Sequence, residues 1–229
     1  TARYNEPFVK VFEEERELTL MLIVDVSSSA LFGTDNAIKK NIITEISATL
    51  AFSALQNNDK VGLILFSDQI ELFIPPSKGK THVLRIIREL IEFKPKSIKT
   101  NISVALEFLI SVLKKKSIAF ILSDFISPDY EKTLKITSKK HDLTGIKVFD
   151  KLEEFIPDLG LVQMLDQETE RVQLIDTSSK FVRDSYKKES TLKFKNFNDL
   201  FTRNGAGTIL CRTDESYIKK LLNYFKNRG

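Results

Sequence analysis

Leu18-Thr19-Leu20-Met21-Leu22-Ile23-Val24-Asp25-Val26-Ser27-Ser28-Ser29 is an apolar run that stops on an aspartate and a serine-rich turn. The run is broken only by Thr19 and falls far short of the roughly 20 residues that a membrane-spanning helix needs. Unbroken apolarity over this length is what a strand buried on both faces of a parallel sheet shows. Working outward, further runs of the same kind are Val61 to Phe66, Ser117 to Leu122, Thr144 to Phe149 and Thr208 to Cys211. Ile70 to Ile74 follows Val61 to Phe66 across Ser67-Asp68-Gln69 alone, so those two strands are expected to form an antiparallel hairpin.

Between the strands the apolar spacing changes to that of helices. Ile38, Ile42, Ile46 and Leu50 recur every fourth residue, and Ile102, Leu106, Leu109, Ile110 and Leu113 form the stripe of a helix lying on a sheet. Helices are also expected around His82 to Phe93, from Ser127-Pro128 (serine as cap, proline in the first turn), from Lys180 to Arg203 and from Asp214 to Lys226. Alternation of strands and helices predicts an α/β domain with a six-stranded, mostly parallel sheet, one antiparallel edge strand and helices on both faces. Leu159 to Leu165 and Arg171 to Ile175, around Asp166-Gln-Glu-Thr-Glu170, depart from the alternation and read as an inserted β-hairpin over 159–175. The expected organisation is an N-terminal extension over 1–17 followed by one domain over 18–229.

Composition agrees with one such domain. The chain has 229 residues, 42% hydrophobic and 29% charged, and its 8 Gly and 6 Pro leave no low-complexity linker. The opening residues do not follow the order of a secretory signal, and no membrane segment is expected in the chain as given. Cys211, the single cysteine, cannot close an internal disulfide and sits in an apolar stretch that suits a small core residue. From Ser178 onward 12 Lys and Arg stand against 5 Asp and Glu, so this region is basic and the remainder slightly acidic. That basic region makes a nucleic-acid-associated domain an alternative. However, its charges occupy mixed helical positions, and Phe181, Tyr186, Phe194, Phe197 and Phe201 fall at mostly helical spacing, as core contacts would.

In an open parallel sheet, ligands bind beyond the carboxyl ends of the strands where strand order reverses. Three loops lie at such ends: Asp25-Val-Ser27-Ser-Ser29, Lys99-Thr100-Asn101 and Ser123-Asp124-Phe125. An apolar strand that ends in aspartate places a carboxylate at the edge of the core, where it must be paired, hydrogen-bonded or bound to a cation. Alternate residues of an extended turn face the same way, so Asp25, Ser27 and Ser29 can point at one ion. Two carboxylates and three hydroxyls form a hard oxygen set suited to Mg2+, Mn2+ or Ca2+. The same residues also suit a self-contained turn in which Asp25 and Asp124 accept hydrogen bonds from nearby serines and amides.

At these residues the chain resembles the von Willebrand factor type A family, whose metal-ion-dependent adhesion site joins an Asp-x-Ser-x-Ser loop, a Thr and an Asp. The resemblance implies a Rossmann-like von Willebrand factor A fold and a metal held by Asp25, Ser27, Ser29, Thr100 and Asp124. Ser28 and Phe125 stand where adhesion members often have Gly, and side chains there are expected to narrow the approach to the ion. Phe12-Glu-Glu-Glu-Arg-Glu-Leu, Leu50-Ala-Phe-Ser-Ala-Leu, Asp59-Lys-Val-Gly-Leu, Leu122-Ser-Asp-Phe and His141-Asp-Leu are similar to the bacterial domain-of-unknown-function family fifty-eight. Its genes commonly sit beside a MoxR-type AAA+ ATPase, which implies a cytoplasmic role in complex assembly or remodelling. Members usually carry more sequence upstream, so a fragment is expected.

Catalysis is not expected. Gly-x-Ser-x-Gly is missing around Ser27, and Pro76-Ser-Lys-Gly-Lys-Thr81 lacks the first glycine of a phosphate loop. An aspartyl-nucleophile phosphatase would want a second Asp where Ser27 stands. His82 and His141 are expected at the surface or in caps, and no small-molecule substrate is implied. The function expected is therefore a metal-dependent protein-interaction module whose partner supplies an acidic side chain to the ion. A scaffold that has lost metal binding is the further alternative.

Overall fold

The computed structural model describes residues 17–27, 36–97, 99–165 and 172–228. Within them the chain forms, in order, β1 (Thr19–Asp25), α1 (Asn36–Gln56), β2 (Lys60–Phe66), β3 (Ile70–Ser77), α2 (Lys80–Glu92), α3 (Ile102–Val112) and β4 (Ile118–Ser123). There follow α4 (Glu131–Lys140), β5 (Asp142–Phe149), α5 (Lys151–Glu154), β6 (Leu161–Leu165), β7 (Val172–Asp176), α6 (Lys180–Arg203), β8 (Gly207–Arg212) and α7 (Tyr217–Lys226). Residues 1–16 of the expected extension and the hairpin tip at 166–171 lie outside the described residues.

Six strands form one sheet in the order β3-β2-β1-β4-β5-β8, with the β2–β3 pair antiparallel and the others parallel. This is the expected mostly parallel sheet with one antiparallel edge strand. β3 runs past Ile74 through Pro75 and Pro76 to Ser77, which an edge strand tolerates because a proline there leaves no ladder bond unmade on its outer side. β6 and β7 pair with each other in a separate two-stranded sheet, so the inserted hairpin lies outside the main sheet as expected.

Alternation along β1 divides the core. Leu20, Leu22 and Val24 meet Ile43, Ile46 and Leu50 of α1, Val83, Ile86 and Leu90 of α2, and Leu221 of α7. Met21 and Ile23 face the opposite layer, with Ile102, Leu106 and Leu109 of α3, Leu134 of α4, and Phe197 and Phe201 of α6. Helices thus cover both faces, and burial of apolar area on each side of a shared sheet is the main stabilising term. Cys211 sits in the first layer, and burial pushes its thiol up to about 11, in keeping with a core role.

Three expectations are corrected. Ser127-Pro128 does not start a helix: α4 begins at Glu131, and the Ser127 hydroxyl instead accepts from the Ile102 amide at 3.0 Å, serving the first turn of α3. Spacing along the chain could not show which helix a loop serine would reach. The last helix begins at Tyr217 because Asp214 and Glu215 are drawn to Arg212, at 2.5 and 2.9 Å. Phe181 is 79% exposed at the start of α6, whereas Phe197 and Phe201 are core residues as expected. His141 caps the end of α4, as expected of a capping histidine, and is buried, its Nδ1 2.9 Å from the Ser117 hydroxyl and its Nε2 without a hydrogen-bond partner among the described residues.

The His141 result carries an acid-stability prediction. Burial first, and the neighbouring Lys140 second, hold the imidazole below its ordinary value of 6.5. A depressed folded pKa means that stability is present above the unfolded value and lost as pH falls below it. The loss should approach about 1.4 kcal/mol per pH unit once the unfolded chain alone takes the proton. Melts from pH 7.5 to 5 should therefore fall more steeply for the wild type than for His141→Gln, and parallel curves would refute the assignment.

Candidate functional site

The chain passes from β1 to β2 on one side and reaches β4 on the other, so strand order reverses between β1 and β4. Asp25 is the last residue of β1, Ser123 the last of β4, and Asp124 follows it. Asp25 and Asp124 are 1% and 2% exposed, and Ser27 and Ser123 are fully buried. A parallel strand delivers its carboxyl end here, and the loop that follows must turn away immediately, which directs its side chains toward the crevice.

Asp25 is held by its own loop and by the end of β4, Asp124 by its own loop. The Ser27 amide donates to Asp25 Oδ1 at 3.0 Å, and the Ser123 hydroxyl donates to Asp25 Oδ2 at 2.6 Å. The same Ser123 oxygen accepts from the Phe125 amide at 3.0 Å, while the Ile126 amide donates to Asp124 Oδ1 at 2.9 Å. Asp124 Oδ2 is buried and meets no donor among the described residues. From the third loop, Thr100 brings its hydroxyl to 2.6 Å from that of Ser27. Thr100 does not cap α3, because Asn101 does so by accepting from the Ser103 amide at 3.1 Å.

Of the five residues expected at the site, the structure joins Asp25, Ser27 and Thr100 by hydrogen bonds and sets Asp124 near enough to act on the charge of Asp25. Ser29 lies outside the described residues, as does Ser28. Phe125 does not crowd the approach. It adopts a left-handed backbone, φ 59°, which turns its ring into a cluster with Phe197 and Phe201 at centroid distances of 4.5 and 5.3 Å. A non-glycine residue in that region costs about 1–2 kcal/mol, and the aromatic packing offsets it.

Burial drives the electrostatics. It raises the Asp25 carboxyl to about 7, with the negative charge of Asp124 adding to the rise and the Ser123 and Ser27 bonds opposing it. Burial likewise raises Asp124, against the pull of Lys147 and then Lys39. Lys147, on β5, donates to the Asp124 carbonyl oxygen, and burial lowers its own pKa against the pull of Asp124 and Glu153. Lys39, near the start of α1, pairs with Glu153 at 2.5 Å. Neither lysine is foreseen from the sequence as part of the site, although a lysine inside the apolar strand Ile146-Lys147-Val148 is a visible signal, since a buried ammonium needs partners. Lys39 gives no comparable signal because helix periodicity does not reveal depth beneath a sheet edge.

A cation is compatible with this arrangement. Two buried carboxylates, Asp25 raised further by the charge of Asp124 and Asp124 with a buried oxygen that meets no donor among the described residues, beside two hydroxyls, form an all-oxygen donor set for a hard divalent ion. Among the described residues no cluster of three or more His, Cys, Asp or Glu side chains exists, so any ion here depends on hydroxyl and water ligands for most of its shell. The histidines are elsewhere: His82 Nε2 is 2.8 Å from the Val61 carbonyl and His141 is beside Ser117, both at the opposite ends of the strands.

The family model described as "Protein of unknown function DUF58" matches residues 1–195. The chain belongs to the DUF58 family. Uncharacterized protein Mb1516 of Mycobacterium bovis is 23% identical over 231 residues, spanning all of this chain and 73% of that protein. Uncharacterized protein MAV169 of Mycobacterium avium is 24% identical over 160 residues, or 68% of this chain and 93% of that protein. Among solved structures, the DUF58 chain matches the conserved hypothetical protein BatB of Bacteroides thetaiotaomicron with a TM-score of 0.55 at 15% identity, covering 92% of this chain and 97% of that one. It matches an aerotolerance-related membrane protein of Bacteroides fragilis with a TM-score of 0.56 at 16% identity, covering 93% and 100%. These likenesses are of fold, and they agree with the von Willebrand factor A-like architecture seen in this DUF58 domain.

Proposed function

We propose that this domain is a non-enzymatic protein-interaction module that acts through a divalent metal. Asp25, Ser27, Thr100 and Asp124, with Ser29 from the same loop, would hold Mg2+, or Mn2+ or Ca2+ in its place. The observation that carries the reading is the buried Oδ2 of Asp124, which meets no donor among the described residues, at the point where strand order reverses. A cation would supply the positive charge that this oxygen lacks, and the partner would complete its shell with an Asp or Glu.

A MoxR-type AAA+ ATPase is the first partner to test, on the resemblance to the family, and a cytoplasmic site of action goes with it. No helix among the described residues is long and apolar enough to cross a membrane. Recovery of the ATPase on the immobilised domain is expected in magnesium and is expected to fall at least tenfold in chelator at constant salt. Thr100→Ala should weaken recovery while leaving the melting temperature nearly unchanged, since Asn101 provides the helix cap. Equal recovery with magnesium and with chelator would sink the metal-bridged mechanism.

One observation favours a second reading, a scaffold that has lost its metal. The buried ammonium groups of Lys147 and Lys39 already lower the carboxyl of Asp124, part of the work that a cation would do. Melts with and without magnesium separate the two readings.

A further inference from the structure

The segment that presents Thr100 links α2 to α3, and its support comes from the hairpin at the edge of the sheet. Glu71 lies on β3, away from the two aspartates. Its Oε1 accepts from the Ser67 hydroxyl at 2.8 Å and from the amides of Lys96 and Ser97 at 3.2 and 3.3 Å. Its Oε2 is buried and meets no donor among the described residues, and the bonds of Oε1 go to the turn and the loop. Ser67, fully buried in the β2–β3 turn, uses its backbone oxygen to accept from the Asn101 amide at 2.9 Å. The loop is therefore pinned at 96–97 by Glu71 and at 101 by the turn that Glu71 braces, and Thr100 lies between the two pins.

We propose that Glu71 is a positioning residue for the metal site: it fixes the backbone around Thr100 so that the threonine hydroxyl stays against Ser27. The proposal rests on the metal reading above. A residue that supports a ligand without touching the ion acts on affinity through geometry, because a ligand held loosely spends part of its time away from the ion. An edge strand is a suitable place for such a brace, since its outer residues are free of the sheet core and can reach a neighbouring loop.

The test uses Mn2+ as probe, with affinity followed by electron paramagnetic resonance and folding by circular dichroism and thermal melts. Glu71→Ala is expected to bind Mn2+ about tenfold more weakly than the wild type. Glu71→Gln, which keeps an oxygen acceptor for the Lys96 and Ser97 amides, is expected to recover to within about threefold. In a Thr100→Ala background, Glu71→Ala should cause no further loss of affinity, because the group it positions is already gone. Should Glu71→Ala fail to fold, Glu71→Asp keeps the charge but shortens the reach, and carries the same expectation. Wild-type affinity in a folded Glu71→Ala or Glu71→Asp protein, or losses that add to that of Thr100→Ala, would overturn the positioning role alone. A wild-type protein that binds no Mn2+ would overturn the metal reading and this proposal with it.

Discussion

Magnesium at a hundredfold excess over its dissociation constant should raise the melting temperature of the wild-type domain by about 5 to 10 °C, and Asp25→Asn should abolish the rise. Binding to the folded state alone contributes about 2.7 kcal/mol at that excess, which sets the size of the shift. Asparagine is the better replacement because Asp25 accepts from the Ser27 amide and the Ser123 hydroxyl. Alanine would strand both donors and confuse a lost ligand with a damaged turn. In metal-free buffer Asp25→Asn should melt close to the wild type. The lost hydrogen bond to Ser123 is offset by removing a buried carboxyl that faces another acid.

The pH dependence of the same shift follows from the raised Asp25 pKa. The folded state holds the proton up to about 7, whereas the unfolded chain releases it near 3.8. In metal-free protein this group therefore favours the folded state below the unfolded value, and that contribution is lost as pH rises through the folded one. A cation must displace the proton, so its affinity should fall by up to about tenfold per pH unit below 7. The magnesium shift is thus expected to be small at pH 5.5 and full at pH 8. A wild-type melt indifferent to magnesium at pH 8 would decide for the metal-free scaffold.

The largest loss of stability is expected from Phe201→Ala, about 3–5 kcal/mol by urea unfolding. Phe201 is fully buried between Phe197 at 4.7 Å and Phe125 at 5.3 Å between ring centroids. Its ring rests on the bare backbone of Gly145, where an added Cβ would lie 2.5 Å from Phe201 Cε1. Gly145→Ala should accordingly cost about 1–3 kcal/mol in the wild type by overpacking. It should cost less when Phe201 is already alanine, because the methyl then enters the space left behind. Equal costs of Gly145→Ala in the two backgrounds would show that the ring and the glycine are not packed together. Phe201→Ala should also reduce the magnesium shift, since it removes one of the rings that hold the left-handed turn of Phe125 next to Asp124.

Much of the fold was legible in the chain because buried parallel strands are apolar throughout and the helices between them carry a period that strands do not. The six strands, the antiparallel Ile70 segment and the separate hairpin all follow from those two signals, and the structure moves their ends by one to three residues. The positions of Asp25, Thr100 and Asp124 were legible for a related reason. An apolar strand that ends in a carboxylate, or a polar loop that opens a helix, marks the end of the sheet where a crevice forms.

Other features depended on which loop meets which once the sheet has closed. Ser127 was expected to cap its own helix and instead serves α3, because the loop after β4 crosses the start of that helix. Ser123 links Asp25 to the turn of Phe125 through a hydroxyl that local sequence leaves without a role. Glu71, Lys147 and Lys39 come to the site region from an edge strand, an inner strand and a helix far apart in sequence. Periodicity reports the face on which a residue lies, and strand ends report where a ligand can sit. Neither reports the depth of a charged side chain or the partner that it meets there, which are set by the packing of elements distant in the chain. The chain alone therefore determined the sheet, its layers and the acidic strand ends, while the tertiary structure decided how those acids are braced and shielded.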